Sequence, residues 1–253
     1  MTMVLLTALG VGGATVIGAL LGFLIKNPSH RVNDLLLSFA AGVMLAAAVC
    51  GLILPSLDYG KSWTALLVTV VGIFVGALFL NMIDKLVPHL HRLSGIDEEA
   101  HPEKNTALNK VMLFVIAIAI HNFPEGIAAG VGFGTGNVAH AFMVAIGIAL
   151  QNIPEGLVVI APMLAAGIGR RRAFLIALAT GLVEVIGAML GYLGVQIATV
   201  VLPFALSFAG GTMLYVISDE MIPETHSHGN ERGATFLLLC GFAVMLAFDF
   251  LLG

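Results

Sequence analysis

The residues best suited to chemistry form two matched hexapeptides, His121-Asn122-Phe123-Pro124-Glu125-Gly126 and, thirty residues on, Gln151-Asn152-Ile153-Pro154-Glu155-Gly156. On a helix, positions four apart share a face. His121 therefore lies above Glu125, and Gln151 above Glu155, with Asn122 and Asn152 flanking them. Each motif offers one carboxylate, one amide oxygen and a further nitrogen or oxygen to a common point. Pro124 and Pro154 lack an N–H, which leaves the Ile120 and Leu150 carbonyls without their helical partners. No lysine or arginine lies close by to neutralise the two acids. A divalent metal ion is the simplest external positive charge. Imidazole, carboxylate and amide oxygen without thiolate suit zinc, iron(II), manganese or cadmium better than copper(I). A single copy could be a proline-kinked packing device with a neutral glutamic acid. Two copies in the same pattern argue for ligation.

Both motifs sit in long apolar stretches, where an ionisable residue is costly and marks function by default. The chain has 253 residues, 59% of them hydrophobic and only 10% charged, with a mean hydropathy of +1.03. Soluble domains carry about 25% charged residues, so this composition describes an all-α integral membrane protein. About 20 apolar residues span a bilayer. That spacing predicts eight helices over residues 4–25, 35–57, 63–87, 108–133, 139–166, 173–195, 200–222 and 234–252, forming one polytopic domain over 1–253. The first stretch has no basic n-region and reads as a spanning helix, not a cleaved signal. Cys50 and Cys240 both lie in apolar segments and imply no disulfide framework.

Of the eleven Lys and Arg residues, only Lys61 lies outside the first, third, fifth and seventh connections and their edges. The positive-inside rule then puts those connections in the cytoplasm and both termini outside, in a multi-pass protein of the cell (inner) membrane. Consecutive helices run in opposite directions. The segments IAIAIHNFPEGIAAG and IGIALQNIPEGLVVI, which align without a gap, are therefore antiparallel. A pseudo-two-fold axis in the membrane plane would bring both motifs to the midplane. Gly18/Gly22, Gly72/Gly76 and Gly187/Gly191 repeat small residues at a spacing suited to close helix packing.

Further acids and histidines fall around this centre. Glu184, mid-helix in GLVEVIGAMLG, reads as a second-site or bridging ligand, or as a protonated acid bonded across helices. Asp219, Glu220 and Glu224, in SDEMIPETHSH, fit an exit path or an ordinary solvated helix end. His226 and His228 fit the same path or a solvated linker. The long connection 89–109, with its histidines, reads as a solvated linker or a weak cytoplasmic metal-collecting loop. Asp58, after the second helix, is an entrance candidate; Asp249 reads as interfacial. Met44 is ambiguous between packing and ligation.

HNFPEG, QNIPEG, the acid on the following helix and the eight-helix layout resemble the ZIP (Zrt/Irt-like) family of divalent metal transporters, most of all its bacterial members. The resemblance covers essentially the whole chain. It implies a 3+2+3 arrangement, in which helices one to three and six to eight form inverted repeats around the fourth and fifth, with a central binuclear metal site. His121, Asn122, Glu125, Gln151, Asn152, Glu155 and Glu184 stand where the family's ligands sit, and Met44 matches a ligand position on the second helix. Many relatives carry histidine or aspartate where this chain has Gln151 and Asn152. Fewer anionic or imidazole ligands should weaken the second half-site. A homodimer is also what the family suggests.

The expected function is movement of zinc, with iron(II), manganese or cadmium as further substrates, across the membrane into the cytoplasm. The metal is cargo, and no organic cofactor or nucleic acid is implied. The alternative is a proton-coupled carrier of a small organic cation, with the glutamates as proton relays; it leaves the amides and histidine incidental. A membrane metalloenzyme would need an open metal position and a general base, and no HExxH motif occurs.

Overall fold

The computed structural model describes residues 1–24, 29–59, 62–86, 106–165, 167–197 and 199–252. Among them there are eight long helices and no strand. These are α1 (Thr2–Gly22), α2 (His30–Leu57), α3 (Trp63–Leu86), α4 (Thr106–Gly132), α5 (Val138–Ala165), α6 (Arg170–Ile197), α7 (Leu202–Thr225) and α8 (Glu231–Leu252). Each matches an expected span to within a few residues. Among the described residues, seven are long and apolar enough to cross a membrane. The other is α4, whose side chains are described only from Ala119 onward. Most of the connection 89–109, with its expected metal-collecting histidines, lies outside the described residues.

Prolines shape two of the spans in the same way. In α2 a π-helical turn, Val49–Ile53, runs into Pro55. In α7 an equivalent turn, Ile217–Met221, runs into Pro223. A proline removes one N–H from the helical ladder, and a wider turn absorbs the mismatch. The connection between α4 and α5 is short: Gly136 turns the chain in the left-handed region at φ 77°. The Asn137 side chain then caps α5 by accepting from the His140 amide at 3.1 Å.

α1 packs on α5 and α6, α4 on α5, α6 and α7, α2 on α5 and α8, and α3 on α7. α2 and α5 are the most buried spans, α3 and α8 the least. Exposed Trp63, Leu67, Phe74 and Leu78 on α3, and Phe236, Leu239 and Phe250 on α8, form an apolar outer surface. Such a belt is unfavourable in water and suits lipid. The core of α2 is Ala40, Ala41, Ala46, Ala47 and Ala48, all buried, and these small side chains let neighbouring helices approach closely.

Candidate functional site

The two motifs lie on α4 and α5, each with its proline inside the helix. Their glycines determine which neighbours come close. A Cβ on Gly126 would strike the Glu184 carbonyl oxygen of α6, and one on Gly156 would strike the Thr15 carbonyl oxygen of α1. The contact is mirrored from the other side: Gly18 of α1 abuts the Ile153 carbonyl, and Gly187 of α6 abuts the Phe123 carbonyl. Backbone-to-backbone contact draws the polar residues of four helices together in an apolar surround.

Glu184 is completely buried and is met by three donors from three other helices. The Thr15 hydroxyl donates to Oε1 at 2.7 Å, as does the Asn122 amide at 2.6 Å. The Asn152 amide donates to Oε2 at 2.6 Å. The same Asn152 nitrogen also donates to the Val11 carbonyl at 3.3 Å. On the other side, the Gln151 amide donates to Glu125 Oε1 at 2.6 Å.

With their nitrogens engaged, the oxygens are left over. Asn122 Oδ1, Asn152 Oδ1, Gln151 Oε1 and Glu125 Oε2 are all buried and accept no hydrogen bond. Native proteins pair nearly all such atoms, and an unpaired one costs about 1–3 kcal/mol. Three amide oxygens and one carboxylate oxygen in that state are open to a cation. Among the described residues, no three His, Cys, Asp or Glu side chains converge closely enough to hold a metal by themselves.

His121 is buried, with Nε2 2.9 Å from Glu220 Oε1. Glu155 is half-buried and within electrostatic reach of Glu125, His121 and Glu220. The structure thus brings His121, Glu125, Gln151, Glu155 and Glu220 into one neighbourhood. Asn122, Asn152 and Glu184 form the adjoining one. Met44 is buried in the apolar core.

The remaining sequence candidates are spread out. Asp58, Asp219 and Glu224 are exposed. Asp58 sits beside Tyr59, whose phenol is pushed above its usual range by burial first and by Asp58 second. His226 turns back on its own helix end, meeting the Ile222 carbonyl at 2.8 Å and the Thr225 hydroxyl at 3.1 Å. His228 pairs with Asp34 at 3.0 Å and stacks on His30 with ring centres 4.6 Å apart. Asn230 donates to the other Asp34 oxygen at 2.8 Å. This connection is fastened to the start of α2 by a buried aspartate that the sequence pattern did not single out.

Two more polar residues escaped the sequence reading. Thr15 carries no motif, yet the signal was present: TVIGALLG (15–22) and EVIGAMLG (184–191) differ at only two positions, and Thr15 stands where Glu184 does. His140 of α5 lies against the Gly51 carbonyl, the one that Pro55 deprives of its helical donor.

A sequence model described as "ZIP Zinc transporter" matches residues 84–249. The chain is similar to "Zinc transporter GufA" of Myxococcus xanthus, 40% identical with 98% of each chain covered. It is also similar to "Zinc transporter ZIPB" of Bordetella bronchiseptica, 40% identical over 95% of this chain and 78% of that one. "Zinc transporter ZupT" of an Enterobacter species is 35% identical, over 97% and 95%.

Proposed function

Because the chain belongs to the ZIP zinc transporter family, we propose that it carries zinc across the membrane into the cytoplasm through the polar centre of the bundle. As a member of that family it is a transporter and not an enzyme. The observation that carries the reading is the set of four buried, unpaired oxygens on Asn122, Glu125, Gln151 and Asn152. A dication would supply the partner that these oxygens lack. His121, Glu125, Gln151 and Glu155 form the main ligand set, Met44 is its soft donor from α2, and the Asn122 and Asn152 oxygens approach from the other side. This mixture of nitrogen and oxygen donors also admits iron(II), manganese and cadmium. A transport site must capture the ion and still release it, and neutral amide oxygens moderate affinity in that sense.

The architecture proposed is 3+2+3, with α1–α3 and α6–α8 as inverted repeats around α4 and α5. The packing supports it: exchanging α1 with α6, α2 with α7, α3 with α8 and α4 with α5 carries the principal helix contacts onto themselves. The π-helical turns before Pro55 and Pro223 exchange in the same operation. With the basic connections inside, Asp58 lies towards the entrance. Glu220, 2.9 Å from the His121 ring, leads from the site towards Asp219, Glu224 and the histidines at the cytoplasmic end.

The test is uptake into proteoliposomes, comparing zinc, iron(II), manganese and cadmium. Zinc uptake should fall to background in Glu125→Ala and in Glu155→Ala. Undiminished zinc uptake in both variants defeats the assignment.

A further inference from the structure

The resemblance places Glu184 among the ligands of a binuclear site. Its surroundings assign it another task. Three donors converge on its two oxygens, from Thr15 (2.7 Å), Asn122 (2.6 Å) and Asn152 (2.6 Å). Hydrogen bonds to a carboxylate are the strong class. A carboxylate so surrounded is already solvated by the protein, and a metal would have to displace those donors to reach it. Glu125, by contrast, accepts from Gln151 at one oxygen and leaves the other open.

The direction of the amides follows from the same contacts. A carboxylate and a backbone carbonyl can only accept. The Asn152 nitrogen stands between the Glu184 carboxylate and the Val11 carbonyl, so both its hydrogens are committed and Oδ1 must face the other way. Asn122, donating to Glu184, is turned likewise. Both oxygens are buried and unpaired on the far side.

Building on the proposed metal site, we infer that Glu184 and Thr15 are positioning residues: they hold the amides of Asn122 and Asn152 with their oxygens towards the cation, and the site takes one dication per chain. Asn152 is the reason a second ion is excluded. An aspartate in its place would set a second carboxylate against Glu184 and supply no donor. Asn152 instead brings an N–H into the space a second metal would need.

The experiment is zinc stoichiometry and affinity on purified, metal-stripped full-length protein, read by elemental analysis after dialysis and by calorimetric titration. One zinc per chain is expected. Asn152→Asp should raise the count to two, a gain that misfolding does not imitate. Thr15→Val, which keeps the volume and loses the hydroxyl, should keep one zinc and weaken its binding roughly tenfold. Thr15→Ser should bind as the unaltered chain does. Two zinc ions in the unaltered chain, one ion in Asn152→Asp, or equal affinity in Thr15→Val each overturn the inference. Glu125→Ala separates the two readings. No zinc in that variant alongside two in the parent refutes only the single-ion inference, whereas full zinc in it removes the metal site itself.

Discussion

Thr15 of α1 donates its hydroxyl hydrogen to Glu184 of α6 at 2.7 Å, and the two residues hold the same place in near-identical segments of the chain. If the two halves arose from one repeat, a position that is an acid in one half has become that acid's hydrogen-bond donor in the other. Two facing glutamates would repel in an apolar interior. A threonine against a glutamate gives a bonded pair instead.

Zinc should stabilise the folded chain. A ligand that binds only the native state at 100 times its Kd adds about 2.7 kcal/mol. Thermal unfolding of metal-stripped protein in detergent should therefore shift upwards on adding zinc. The shift should vanish in Glu125→Ala, where the open carboxylate oxygen is gone. An equal shift in that variant would place the zinc elsewhere.

Acid should oppose uptake. His121 can ligate only through a neutral imidazole, because protonation removes the lone pair that a metal needs. Zinc uptake should therefore decline as the medium is acidified. Glu220, 2.9 Å from the ring, is placed to hold the protonated form. Uptake that stays flat between about pH 5 and 8 would strike His121 from the ligand set.

Glycine substitutions should divide by what their Cβ meets. Gly13→Ala enters open space in the interior of α1 and should be neutral or stabilising by up to about 1 kcal/mol. Gly126→Ala would force α4 away from the Glu184 carbonyl, with a loss of about 1–3 kcal/mol and weaker zinc binding. Melting curves of the two variants give the comparison. A stable Gly126→Ala would mean that α4 and α6 pack less closely than described.

The proposed orientation can be read with thiol reagents. Cys50 and Cys240 form no disulfide, so a cysteine-free background is a reasonable start. Ser62 and Ser227 are exposed in the second and seventh connections. An impermeant maleimide should label Ser62→Cys in intact cells, and Ser227→Cys only after the membrane is opened. The reverse pattern would invert the topology.

Much of the fold was legible in the chain because local composition is sufficient for it. Apolar runs of helical length specify spans, and all eight expected segments became helices. Pro55 and Pro223 were less telling. The wide turns before them depend on how each helix re-pairs its backbone after losing an N–H, and helical periodicity does not encode that. The candidate site was legible in part. Repetition of HNFPEG as QNIPEG was enough to select Glu125, Glu155 and their flanking amides, since four-residue spacing fixes a shared face.

Spacing fixes a face, but not which way an amide turns on it. That direction depends on acceptors from other helices: the Val11 carbonyl and the Glu184 carboxylate for Asn152, and Glu184 again for Asn122. The sequence alone determined that this chain spans a membrane and carries a matched pair of carboxylates within its apolar spans. Only the tertiary structure decided that Glu184 is satisfied by protein donors while Glu125 keeps an oxygen open. The reason is that hydrogen-bond partners are chosen by the depth and rotation at which helices meet. Here those are set by glycines pressed against the backbone of another helix.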